Sequence, residues 1–280
     1  MANLHPRRYV FHGSASGVSA HIRRPEKRVL PVQGSCSLPV TGGLSQSEVP
    51  AGQLEKWVSF EGITTSAAGD YVDAAAGVAT TLGEIAFDAV PTETKVISDV
   101  RGLVILGRVH IARASVGLIS RSAAPGEQPV IRLEGNRLEG VRIDDSRLKI
   151  TLAEGFFQEC DTHAKLAKKH AEGLATKHAR LFVPTTEAGE ALTAFPDAKR
   201  MVKCTIVEEI AWDGAPHPTA TIHGNVVHVP NFGKIYFGEL FISGEARRLT
   251  MVRFQLGSED GGEVTAGEGE TNGSTYPPNP

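Results

Sequence analysis

Cysteine is scarce. The three residues Cys36, Cys160 and Cys204 are odd in number and far apart, which excludes the dense disulfide framework of small secreted domains and predicts reduced, mostly buried thiols. Aromatic residues are also few. Two Trp and four Tyr make a poor stacking platform, which weighs against adhesion to carbohydrate through Trp57 and Trp212. No apolar run reaches the ~18 residues that a spanning helix needs. The N-terminus lacks an apolar signal core, so neither a membrane span nor Sec export is expected. A cytoplasmic location is the resulting expectation, with signal-independent export left open. Charge of one sign is missing too: 29 Lys and Arg stand against 32 Asp and Glu, a formal net charge of −3. Such a balance gives no drive toward nucleic acid or anionic lipid.

The signatures of common chemistries are absent as well. The sequence has no GxxxxGK[ST] phosphate loop, no GxGxxG fingerprint and no CxxC pair. Gly13-Ser14-Ala15-Ser16-Gly17 has the outline of a nucleophile elbow, but Ala15 stands where the nucleophile belongs. Glu208-Glu209 and Asp144-Asp145 are adjacent carboxylates. Neighbours on a strand point to opposite faces, so neither pair can act jointly on a substrate.

Glycine, at 30 residues, and proline, at 16, are abundant, which favours short strands and turns over a helical bundle. Period-two segments recur throughout, and in Arg108–Ser120 both alternating sets are partly apolar, so both faces of that strand should be covered. Val29-Leu30-Pro31-Val32 and Ser37-Leu38-Pro39-Val40 are interrupted by proline and read as edge strands or covering segments. Thr41–Gly52 reads as a surface loop, and Ala74–Ala79 fits a helical turn or a strand equally well. Asp144-Asp145-Ser146 between alternating segments predicts a hairpin, with Val141 and Ile143 sharing a face with Leu148, Ile150 and Leu152 if the turn sets that register.

One stretch breaks the period. From an N-cap at Asp161, Ala164, Ala167, Ala171, Leu174 and His178 recur at helical spacing, predicting an amphipathic helix over about 161–180. The final residues, 258–280, mix acids with Gly, Ser, Thr and Pro and read as a disordered acidic tail behind one β-rich domain of residues 1–257. Leu82–Val90 resembles Phe232–Leu240 at a constant offset that also brings Leu106-Gly107 onto Leu256-Gly257, as a pseudo-duplicated architecture would. The expected fold is therefore mainly β, an antiparallel sandwich or barrel-like assembly with one helix packed on it.

Among ten histidines, His163 and His170 are about 10 Å apart along the helix, too far for one zinc ion. His223 and His228 are the weak metal candidates, on opposite faces of a strand unless a bulge at Gly224 re-aims one. Glu239 in an apolar run, with Arg247, Arg248 and Arg253 downstream, predicts a structural ion pair between strands. Arg7, Arg8, Arg23, Arg24 and Arg28 make the first segment basic against the acidic tail, a pattern that can guide one subunit to the next. Two function classes remain. The first is a non-enzymatic structural or interaction protein whose partner is itself, with no cofactor and no catalytic residue. The second is a small-molecule-binding or hydrolytic β-barrel with His110, His223 or His228 lining a cavity.

Overall fold

The computed structural model describes residues 8–72, 91–122, 128–171, 179–180, 202–243, 246–257 and 259–276. The chain opens with β1 (Arg8–Ile22), β2 (Arg28–Ser37), β3 (Gly43–Leu54), β4 (Val58–Tyr71), β5 (Thr92–Ile105) and β6 (Val109–Ser122). Shorter pieces follow: β7 (Val130–Leu133), β8 (Arg137–Glu139), β9 (Val141–Ile143), β10 (Ser146–Leu152), α1 (Glu154–Glu159), α2 (His163–Ala171), β11 (Ala179–Arg180), β12 (Val202–Thr205) and β13 (Val207–Trp212). The chain then runs through β14 (Thr221–His223), β15 (Val226–Val229), β16 (Gly233–Ile242), β17 (Ala246–Gly257) and β18 (Gly261–Tyr276).

Among the described residues these strands form two nine-stranded sheets. Sheet A runs β11-β12-β16-β17-β18-β1-β2 with β14 and β15 beside β16, and sheet B runs β13-β10-β9-β6-β5-β4-β3 with β7 and β8 along β6. All pairings are antiparallel. The inner faces pack one shared core that includes Val18, Ile22, Ile63, Val96, Val100, Leu118, Phe237, Phe254 and Val264. It is a β-sandwich, bridged on one side by the β2–β3 connection. On the other side β12 lies in sheet A and β13 in sheet B, and the chain crosses between them at buried Ile206. Its amide donates to Gly238 and its carbonyl accepts from Ala153, so the crossing residue keeps both backbone bonds.

A seam crosses sheet A. Between Phe237↔Val252 and Glu239↔Thr250, between Val252↔Ala266 and Thr250↔Glu268, between Val18↔Ala266 and Ser16↔Glu268, and between Val18↔Gln33 and Ser16↔Ser35, one position per strand falls out of the ladder. Those positions are Gly238, Met251, Gly267, Gly17 and Gly34. Gly238, Gly267 and Gly34 have φ of 60°, 66° and 60°, a left-handed conformation that glycine adopts without steric cost. The inward-facing set changes parity there, from Ile235 and Phe237 to Leu240 and Ile242 in β16, while the register on either side is unchanged, so the strands turn over together rather than any one of them carrying an extra residue.

The predicted hairpin forms as β9–β10. Asp144 takes φ 49° in a two-residue turn, and Val141 pairs with Leu148, which puts the apolar set on one face. β6 is buried on both faces from Ala114 to Ser120. Its second neighbour is in effect one long strand, β7–β8–β9, interrupted by a bulge at Glu134–Asn136. There the Asn136 side chain accepts from the Gly117 amide (3.0 Å) and donates to its carbonyl (3.1 Å), replacing the missing ladder bonds. Gly117 must be glycine, because a Cβ would overlap the Glu134 carbonyl oxygen.

Several expectations are corrected. Thr41–Gly52 is not a loop: Gly43–Leu54 forms β3, an edge strand paired to β4. The helix over 161–180 is shorter. α2 ends at Ala171, residues 172–178 lie outside the described residues, and Ala179–Arg180 pair with β12. Its N-cap is Thr162, whose hydroxyl accepts from the Lys165 amide, while the Asp161 carboxylate takes the Lys165 ammonium. The buried face is His163 and Leu166 rather than Ala164, because Leu166 is the large apolar side chain of that turn. A second helix, α1, precedes it and buries Phe157.

The disordered tail of 258–280 is overturned over Gly261–Tyr276, and residues 277–280 lie outside the described residues. β18 is a central strand of sheet A, paired on one side to β17 and on the other to β1. Its glutamates Glu263, Glu268 and Glu270 point outward, while Val264, Ala266, Gly269 and Thr271 face the core. Of the proposed duplication, Leu82–Val90 lies outside the described residues, as does Ala74–Ala79. Leu106-Gly107 and Leu256-Gly257 each lead into a hairpin, β5–β6 and β17–β18.

Candidate functional site

The three cysteines are free and buried. Desolvation pushes the Cys160 and Cys204 thiols up, which leaves little of the reactive thiolate. Trp57 is buried and donates its indole N–H to Asp260 (2.9 Å), while Trp212 stacks on His217. Neither forms an aromatic platform.

Glu239, 2% exposed, meets Arg253 through two bonds of 2.6 and 3.0 Å and Lys203 at 2.7 Å. The expected ion pair between strands is therefore present. Burial pushes the carboxyl up, but the bonds from Arg253 and Lys203 outweigh it and hold it below the usual range. Arg253 also stacks on the Tyr236 ring, 3.8 Å from its centroid.

Asp144 is more than a turn residue. It accepts from Arg108 Nε (2.9 Å), Arg108 Nη2 (2.7 Å) and His217 Nε2 (3.0 Å). His217 Nδ1 in turn accepts the amides of Thr219 and Ala220. The imidazole proton therefore sits on Nε2, and both ring nitrogens are committed to holding loops. The Arg108 guanidinium lies over Phe232 and reaches the Asn231 carbonyl, so this cluster ties the β9–β10 turn, the β13–β14 connection and the β15–β16 turn together.

The histidines singled out from sequence do not converge. His110 lines a cleft on sheet B with Glu61, Glu139 and Asp213, whereas His228 lines one on sheet A with Glu263. His223 lies on β14, paired to Val226, and is exposed. No group of three His, Cys, Asp or Glu able to hold a metal ion exists among the described residues. His163 is buried on α2, the side chain of His170 is not described, and His178 lies outside the described residues.

The basic segment is divided. β1 is fifteen residues long, about 50 Å at ~3.3 Å per residue, and it separates Arg8 from Arg23, Arg24 and Arg28; Arg7 lies outside the described residues. The acidic residues of β18 pair elsewhere, Glu268 with Arg248 and Glu263 with Arg253, and Arg28 pairs with Glu26.

Arg23 and Arg24 stand over an open cleft of about 440 Å³, together with His228, Asn231, Lys234 and Gln255. The register builds it: His228 pairs with Lys234, Lys234 with Gln255, Gln255 with Glu263 and Glu263 with His21, one row across five strands. The amides of Arg23 and Arg24 both donate to the Gly261 carbonyl, at 2.7 and 3.0 Å, which folds the β1–β2 turn over that row. Sequence reading missed the row because its members come from five strands whose register no local pattern specifies.

A second feature lies along the side formed by β2 and β3. The exposed large apolar side chains among the described residues are Val29, Val32, Val40 and Leu44, at 75%, 48%, 65% and 63% exposure. β2 carries a register shift opposite Val18/Ala20 that contains Pro31 and Val32, and Pro50 lies in β3. No helix among the described residues is long and apolar enough to cross a membrane.

No curated protein and no solved structure matches the chain. A family match begins at the second residue of β1 and ends between β16 and β17. Residues 9–243 match the family described as "Domain of unknown function (DUF8256)", and the chain belongs to that family.

Proposed function

We propose that this protein is a non-enzymatic interaction protein that associates with copies of itself through the β2–β3 side of the sandwich. The supporting observation is the apolar strip: the exposed large apolar residues among the described ones all fall within Val29–Leu44. They are spread along one side of the sandwich, over β2 and the connection to β3, instead of over both sheets, and exposed apolar residues gathered on one side mark a contact surface. A surface that meets its own copy about a two-fold axis needs only one such strip. Lys27 just before β2, Glu48 in β3 and Glu55 just after it supply both signs of charge on this side. Pro31 and Pro50 each remove an N–H, and the β2 bulge breaks the edge, so the contact is side chain against side chain rather than a shared ladder.

The hydrolytic reading needs an imidazole free to move a proton beside a nucleophile. His217 has both nitrogens engaged, and His110, His223 and His228, the imidazoles that reading names, stand apart from one another, His110 on a sheet B cleft, His228 on a sheet A cleft and His223 exposed on β14.

Size-exclusion chromatography with light scattering tests the proposal. The native chain should elute as a discrete oligomer whose stability holds or rises with salt, because apolar association is not screened. Val40→Asp with Leu44→Asp should yield the monomer. A strict monomer for the native chain at both low and high salt would defeat the proposal.

A further inference from the structure

We infer that the cleft beneath Arg23 and Arg24 binds a small molecule bearing a phosphoryl or comparably charged oxyanion group. Three exposed cations, Arg23, Arg24 and Lys234, line one hollow beside His228, in a chain whose overall charge is −3. Among the described residues no carboxylate pairs with any of the three. The acid on the cleft wall, Glu263, instead faces Arg253 at 3.9 Å, and Asp260, next in sequence to the lining Gly261, is held by Lys56 and by the Trp57 indole.

The geometry suits an anion in three further ways. The Gly261 carbonyl anchors the two arginine amides, which sets where the guanidinium groups start, and planar guanidinium forks match oxyanions bidentately. Gln255 Oε1 already accepts the Tyr236 hydroxyl (3.0 Å), so its amide nitrogen is the end left to donate. His21, which pairs with the cleft residue Glu263, keeps a buried Nε2 with no hydrogen-bond partner among the described residues, a polar atom for which the fold itself supplies no use. The volume lies within the ~300–1,000 Å³ of small-molecule sites. The cations ring one hollow instead of tracking along the surface, which favours a compact ligand over a nucleic-acid strand or a membrane.

Titration calorimetry of the full chain with inorganic pyrophosphate tests this. Parallel arms use a single-stranded DNA oligonucleotide and phosphatidylserine vesicles. The native protein should bind pyrophosphate, and Arg23→Ala with Arg24→Ala should weaken binding by about ten- to a hundredfold, the usual loss for charge-assisted bonds. Lys234→Ala should weaken it as well, whereas Arg137→Ala on sheet B should leave it unchanged. Unaltered thermal melts would confirm that these exposed substitutions spare the fold. The inference is overturned if pyrophosphate does not bind, or if the double variant binds it as the native chain does. It is equally overturned if DNA or vesicles bind through these arginines more tightly than pyrophosphate. The Val40/Leu44 variant should retain binding, so this test and that of self-association fail separately.

Discussion

Two acidic residues show how a charge is kept inside or beside a β-sandwich. Glu239 is buried against Arg253 and Lys203, and Glu239→Gln leaves those cations facing a neutral group. A loss of about 3–5 kcal/mol is expected, as for breaking one side of a buried pair, read as a lower urea midpoint with an unchanged slope. Asp144 is held down from its ordinary 3.8 to about 2 by the Arg108 bonds first and His217 after them. A depressed carboxylate contributes stability that is complete above its unfolded value and is lost as pH falls through its folded one. The native chain should therefore exceed Asp144→Asn by about 1 kcal/mol near neutral pH, a figure discounted for the exposure of the pair. That margin should shrink between about pH 4 and pH 2 in denaturant titrations. A margin that stays constant with pH would remove the ion pair as its source. Glu239 was legible in the sequence because a lone acid in an apolar run needs a partner and arginines follow it. Asp144 was not, because Arg108 and His217 lie 36 and 73 residues away.

β18 is the element whose sequence misleads most. Apart from Val264 its inner face carries alanine, glycine and threonine where a strand ordinarily carries valine or isoleucine, so no apolar cluster is visible in Gly261–Tyr276. The missing volume comes from the opposite sheet, where Val96 and Val116 approach Gly269 so closely that a Cβ would lie 2.9 and 3.0 Å from their methyl carbons. A chain cut after Gly257 should therefore lose cooperative thermal unfolding, because both β17 and β1 lose a partner. A truncated chain that melts like the full one would restore the disordered tail. Gly267→Ala should cost about 1–2 kcal/mol, the penalty of a Cβ in left-handed backbone, measurable by the same denaturation. Gly117→Ala should cost more, because the Glu134 carbonyl must move and the Asn136 bonds go with it. Alternation and turn residues made the β9–β10 hairpin and the double burial of β6 readable, since both depend on neighbours in sequence. The helix face was misread because its small residues satisfy the period as well as Leu166 does, and only packing chooses between them.

At the scale of the molecule, the sandwich follows from many period-two segments and little helical signal, but its closure does not. The sheet switch at Ile206, the seam through Gly17, Gly34, Gly238 and Gly267, and the row under Arg23 and Arg24 all come from register between strands distant in sequence. The pairing of β1 with β18 brings Ser19 and Thr265 into a hydroxyl bond across 246 residues. Loops of that span close slowly, and non-local pairing retards folding. During synthesis at ~5–20 residues per second, β1 emerges roughly 12–50 s before its partner, with β2 able to pair on one flank only. Sheet B, whose strands β3–β6 and β9–β10 are near neighbours in the chain, can assemble first and shield the inner face of β1 meanwhile. The cell must keep an incomplete sheet from meeting its like until the last strand inserts, and the prolines in β2 and β3 are already in place for that interval.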